Sequence, residues 1–305
     1  VASGLPTEKP MPDTLPLLYT LLAAVLLVSL LGAALLYTLW YYERQANHDA
    51  PPLPGATPGA LNPLLGAPAF VIEAAAFAVL VITYPLRLVH DVMPFRAQAK
   101  GETPILLVHG WGANSACFLG VQLWLKLRGY RNVYAVSYTP PVIRAEKLAR
   151  QLARHIDKAR EATGAEKVHI VAHSMGGLLT RYAIRHLGME GKIDKVITLG
   201  SPHMGSKLAG VVPGGGNVPQ MRYRSDFCRE LADGGLTPGA DVRYFSIYSE
   251  FDNFVLPNHS SVLDGNAQNI HVPYHGHCAL LYSPRVFLLI EDCLGQPDTA
   301  TASET

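Results

Sequence analysis

Val168-His169-Ile170-Val171-Ala172-His173-Ser174-Met175-Gly176-Gly177 is the stretch on which the fold turns. An apolar, β-branched run enters a turn of small residues that carries a serine, and a helical pattern leaves it. That is how a nucleophile elbow reads: the sharp bend strains the backbone at the serine and lifts its hydroxyl out of the chain. Side chains two residues before and two after the serine collide across such a bend, so both positions must be small. Ala172 stands where the usual G-x-S-x-G motif has its first glycine, and Gly176 holds the second. The motif is weak alone and gains weight from the strand before it and the helix after it.

An elbow serine needs a histidine to take its proton and an acid to orient that histidine. With such elbows the acid follows first and the histidine second, each on a loop after a strand. Arg243–Tyr248 reads as a strand with Ser249-Glu250-Phe251-Asp252-Asn253 as its loop. Asn269–Val272 is a short strand, followed by Pro273-Tyr274-His275-Gly276-His277 and then by Cys278-Ala279-Leu280-Leu281, the expected start of a helix. Asp252 is assigned as the acid and His277 as the base; Glu250 is the rival acid and His275 the rival base. Asp241 and Asp264 lie beside glycine-containing loops, where solvated turn chemistry explains them. The oxyanion formed on an attacked carbonyl needs two backbone N–H donors. Met175, directly after the serine, supplies one. Trp111 supplies the other, from His109-Gly110-Trp111-Gly112 after the strand Pro104–Val108.

These stretches, with Thr198-Leu199-Gly200-Ser201-Pro202-His203-Met204-Gly205-Ser206 and Gly276–Tyr282, resemble the bacterial lipases and esterases of the α/β-hydrolase superfamily. The likeness is to the compact triacylglycerol lipases with an alanine-type elbow and covers roughly residues 100 to 294. It implies an α/β fold with a mostly parallel central sheet flanked by helices, and ester hydrolysis through an acyl-enzyme. Everything before residue 100 departs from that pattern and does not fit a freely secreted enzyme.

The 305 residues are 49% hydrophobic and 16% charged, enough to bury one sizeable core with residues left over. A net charge of +1 gives no reason to expect a nucleic-acid partner. Cys117, Cys228, Cys278 and Cys293 form no C-x-x-C pair, so neither zinc nor another metal is expected, and no cofactor is implied. A Cys228–Cys278 disulfide and four buried thiols both remain open.

From Thr14 to Tyr42 there is no charged residue, and Tyr19, Tyr37, Trp40, Tyr41 and Tyr42 flank the run. A hydrocarbon core takes about 20 apolar helical residues, with aromatics at the interfaces. The bulky aromatic end favours a retained helix over a cleaved signal peptide. A Pro/Gly-rich linker follows. A second apolar stretch, Leu64 to Leu86, is broken only by Glu73; it reads as a second span, or as a helix lying on the membrane and packing on the catalytic domain. Glu73 is expected at headgroup level. If both segments span, Arg87, Arg96 and Lys100 put the catalytic domain on the cytoplasmic side; if one spans, the charges do not decide.

The expected organisation is a transmembrane helix at 1–48, a linker at 49–63, a membrane-associated helix at 64–99, a catalytic domain at 100–294 and a disordered tail at 295–305. Strands fall near 104–108, 133–137, 167–171, 195–199, 243–248 and 269–272. An amphipathic helix runs from Arg144 to Ala162, and Leu208–Gln220 is a loop beside the site. The functional expectation is a membrane-anchored serine ester hydrolase, in a bacterial inner membrane, acting on acyl esters or lipids. The alternatives are a phospholipase or acyltransferase with the same triad, or a non-catalytic membrane binding protein of that fold.

Overall fold

The computed structural model describes residues 14–47, 53–56, 63–90, 95–140 and 142–296. Two long helices, α1 (Thr14–Ala46) and α2 (Pro63–Thr83), come first, followed by the short α3 (Arg87–His90). Strands and helices then alternate: β1 (Ile105–Val108), α4 (Leu119–Leu127), β2 (Val133–Val136), α5 (Ala145–Thr163), β3 (Val168–His173), α6 (Met175–His186) and β4 (Ile193–Leu199). The chain continues through α7 (Leu208–Val211), α8 (Asp226–Ala232), β5 (Arg243–Tyr248), β6 (Gln268–His271) and α9 (Pro284–Gly295). Among the described residues the six strands form one wholly parallel sheet in the order β2-β1-β3-β4-β5-β6.

A parallel sheet buried on both faces needs apolar residues on both, and these strands supply them. Leu106 and Val108 of β1 join a core under α5 and α6, while Ile105 and Leu107 join the opposite core under α4 and α9. Helix α5 buries Leu148, Leu152, Ile156 and Ala159, as its periodicity predicts, and stops at Gly164 in a left-handed conformation (φ 77°). Register aligns the carboxyl ends of the strands. Val108 pairs with Ala172, His173 with Leu199, Leu199 with Ile247, and Tyr248 with His271. The loops leaving β1, β3, β4, β5 and β6 therefore emerge along one edge, where ligands bind in open α/β sheets.

Helices α1 and α2 lie antiparallel: Tyr37 is beside Phe70 (ring centroids 5.9 Å apart), and a Cβ on Gly32 would sit 3.9 Å from the Phe77 ring. The carboxyl end of α1 is seated on the α/β domain. The Trp40 ring stacks on Phe251 at 5.5 Å, its Nε1–H donates to the Glu250 carbonyl (2.8 Å), and Lys207 pairs with Glu43 (3.0 Å). Helix α2 runs along the domain through Ala69, Glu73 and Ala76.

Several expectations change. Glu73, expected at headgroup level, is 1% exposed and is bonded to the chain after His277. The four cysteines are free and buried, so Cys228 and Cys278 are not bridged. The segment after His277 begins with a single 3-10 turn, Ala279–Leu281, and its α-helix starts only at Pro284, where proline suits the first helical turn. Of the linker, residues 53–56 are described, and the Pro54 carbonyl accepts from the Tyr248 hydroxyl (2.8 Å). Residues 1–13, most of the linker, and the tail from 297 onward lie outside the described residues.

Candidate active site

Ser174 sits between the end of β3 and the start of α6 with φ 56° and ψ −125°, a conformation that side-chain-bearing residues rarely adopt. Its N–H donates to the Leu199 carbonyl (3.0 Å), which pins the bend to the neighbouring strand. The glycines of the elbow answer to specific neighbours. A Cβ on Gly176 would lie 2.4 Å from the Val108 carbonyl oxygen, and one on Gly110 would lie 2.6 Å from the Ser174 Cβ. Ala172 is fully buried in register with Val108 and Thr198, and its methyl group is accommodated in the packed core.

Asp252 and His277 meet. The His277 Nδ1 is 2.8 Å from the Asp252 Oδ2, and both side chains are buried. The other oxygen, Oδ1, accepts from the Phe254 and Val255 amides, each at 2.9 Å. Phe254 stacks on the His277 ring at 4.7 Å, and the centroid of the His173 ring lies 4.5 Å from that of His277. Gly200, with φ 52°, leaves room for the pair, since a Cβ there would stand 2.6 Å from Asp252 Oδ2 and 3.2 Å from His277 Nδ1. Burial pushes the His277 imidazole down, but the Asp252 charge, its hydrogen bond and the Glu73 charge outweigh it, and the net shift is upward.

The two rivals are occupied elsewhere. Glu250 Oε2 is bonded to His271 Nε2. His275 Nδ1 meets the Pro273 carbonyl (2.7 Å), and its Nε2 meets the Ser283 hydroxyl (2.8 Å). Trp111 and Ser174 border one cleft, whose remaining wall is Ser206 and the apolar Pro202, Leu208, Ala209, Val212, Val218, Met221, Phe254 and Val255. Leu208–Gln220, expected as a loop, contributes α7 and a second short turn to that wall. Met175 is fully buried as the first residue of α6, where helix amides are free to point at an anion.

A strained serine after β3 and a buried aspartate–histidine pair after β5 and β6 thus lie at one edge of the sheet, beside an apolar cleft. The chain resembles bacterial lipases and has an α/β-hydrolase fold. Residues 102–217 match the class 2 lipase family. A triacylglycerol lipase of Burkholderia plantarii is 30% identical over 165 residues, covering 50% of this chain and 40% of that protein. A triacylglycerol lipase of Pseudarthrobacter phenanthrenivorans is 31% identical over 126 residues, 37% of each. The matches thus span less than half the length of these curated relatives. Aspergillus fumigatus lipase B superposes over 93% of this chain and 87% of its own (TM-score 0.62, 15% identity). The mature Bacillus licheniformis lipase BlEst2 superposes over 67% of this chain and 96% of its own (TM-score 0.56, 18% identity).

Sequence reasoning missed Glu73, Trp40, Gly200 and Phe254 as neighbours of this lipase-like site. For Glu73 a signal existed: it is the sole charge in the second apolar stretch.

Proposed function

We propose that the protein is a membrane-anchored serine ester hydrolase of the lipase type, with Ser174, His277 and Asp252 as its triad. The observation that carries this reading is the buried Asp252–His277 bond at the strand edge that also holds the strained Ser174. Ser174 Oγ attacks the ester carbonyl while the His277 Nε2 takes its proton, and Asp252 holds the resulting imidazolium. The amides of Trp111 and Met175 receive the oxyanion. His277 then returns the proton to the departing alcohol. Water, deprotonated by the same imidazole, attacks the acyl-enzyme and releases the carboxylic acid.

The apolar cleft beside Ser174 favours an acyl chain over a polar group. Anchoring rests on α1. Its 33 residues make about 50 Å of helix, and those before its seat at Trp40 expose Leu17, Leu21, Leu27, Leu31 and Leu35. A hydrocarbon core is about 30 Å thick, so that overhang suffices for one span. Helix α2 fits a different role, because its inner face is taken up by the catalytic domain and α1. Acyl esters at a lipid surface are the proposed substrates.

The test is hydrolysis of p-nitrophenyl esters of increasing chain length by detergent-solubilised protein, beside Ser174→Ala. Activity lost in the variant supports the reading, with chain-length preference defining the substrate class. A wild type no faster than the variant on every ester refutes it.

A further inference from the structure

Glu73 is an anomaly by position. It belongs to an apolar helix, on the stripe Ala69, Glu73, Ala76 that faces the catalytic domain, where burial favours a leucine. Its two oxygens are both used: Oε1 accepts from the Cys278 amide (3.0 Å) and Oε2 from the Ala279 amide (2.9 Å). Gly276 provides the space, since a Cβ there would come within 2.4 Å of Oε2. The residue between this glycine and these amides is His277.

We infer that Glu73 is a positioning residue for His277, so that a helix outside the hydrolase core completes the catalytic centre. This rests on the triad reading above. The peptide around His277 is otherwise held by weaker ties. Its own amide donates to Asn253 Oδ1 at 3.3 Å, and its carbonyl accepts from His173 Nε2 at 3.1 Å. A carboxylate with two amide donors is the strong clamp of the set, because charged hydrogen bonds are about twice as strong as neutral ones. It fixes the backbone on the carboxyl side of the imidazole as Asp252 fixes the ring. Burial, the largest effect, pushes the Glu73 carboxyl up and the Asp252 charge adds to it; the two amides and a positive His277 work in the other direction without overcoming it. The charge is therefore best supported when the imidazolium forms during acyl transfer.

The groups facing His277 are Asp252 from the loop after β5, Glu73 from α2, His173 from β3 and the neighbouring Cys278 thiol, with Tyr37 of α1 close to Glu73 and Asp252. Of these Asp252 and Glu73 favour the protonated imidazole, and a protonated His173 would oppose it.

The experiment compares full-length wild type, Glu73→Gln and Glu73→Asp in detergent, measuring kcat, KM and the pH profile of p-nitrophenyl butyrate hydrolysis. In Glu73→Gln an N–H₂ faces one amide and the charge is gone. The expected result is a kcat loss of about 10- to 100-fold, KM nearly unchanged, and an acid limb of kcat/KM moved to lower pH. Glu73→Asp keeps the charge on a shorter arm; its kcat falls, and its acid limb stays closer to wild type. A Glu73→Gln protein with wild-type kcat and acid limb overturns the inference, even if its thermal midpoint drops, because Glu73 then only fastens α2. Should Glu73→Gln not fold, Glu73→Asp decides alone: wild-type kcat in that variant overturns the inference. A wild type that neither hydrolyses the ester nor reacts with a fluorophosphonate overturns the triad reading itself, a different failure.

Discussion

Replacing Asp252 by asparagine tests the orienting bond with almost no change of volume. The two carboxylate oxygens are not equivalent, and that sets the magnitude. Oδ1 is committed to the Phe254 and Val255 amides at 2.9 Å, so the asparagine oxygen must take that place. Its N–H₂ then points at His277 Nδ1, where Oδ2 accepted at 2.8 Å. An imidazole facing that donor must present Nδ1 as an acceptor, which places its proton on Nε2, the atom that has to receive the serine proton. The wrong tautomer costs about 10⁴ in turnover for triads of this kind, or about 5.5 kcal/mol of transition-state stabilisation. Initial rates with p-nitrophenyl butyrate at saturating substrate measure the loss, and an unchanged thermal midpoint excludes misfolding. Retention of more than about a tenth of wild-type kcat would refute the argument, since a loss that small does not require a tautomer switch.

Gly200→Ala should abolish activity while the protein still accumulates, because its Cβ would stand 2.6 Å from Asp252 Oδ2 on a backbone with φ 52°; ester hydrolysis and circular dichroism together check it. The acid limb of kcat/KM should lie above the ordinary histidine value of about 6.5, since His277 is pushed up and must be neutral to accept the serine proton. A limb below that value contradicts the assigned environment. Glu250→Gln removes the partner of His271 and should lower the thermal midpoint, yet leave kcat within about tenfold of wild type, far from the Asp252→Asn loss.

The elbow, the two loops and the sheet were legible because each depends on local chemistry: a β-branched run, small residues at a bend, carboxylate and imidazole just past strand ends. Choosing between Asp252 and Glu250 was not local. It depends on the pleat of β5 and on where β6 places His271, which pairs with Tyr248 and so presents its imidazole to Glu250. The role of Glu73 was hidden for the same reason. Its place in the second apolar stretch was plain, but the contact spans 205 residues to Cys278, and an isolated charge in an apolar helix suits a membrane interface equally well. Proline explains the late start of α9: Pro284 takes its first turn, whereas Ala279–Leu281, within the stretch expected to open the helix, form only a 3-10 turn.

The most direct test of the central claim is mass spectrometry of the detergent-solubilised protein after reaction with a fluorophosphonate. The account predicts a single adduct on the peptide containing Ser174, absent in Ser174→Ala and strongly slowed in His277→Ala. An unlabelled wild type, or an adduct on any other serine that persists in Ser174→Ala, would contradict it.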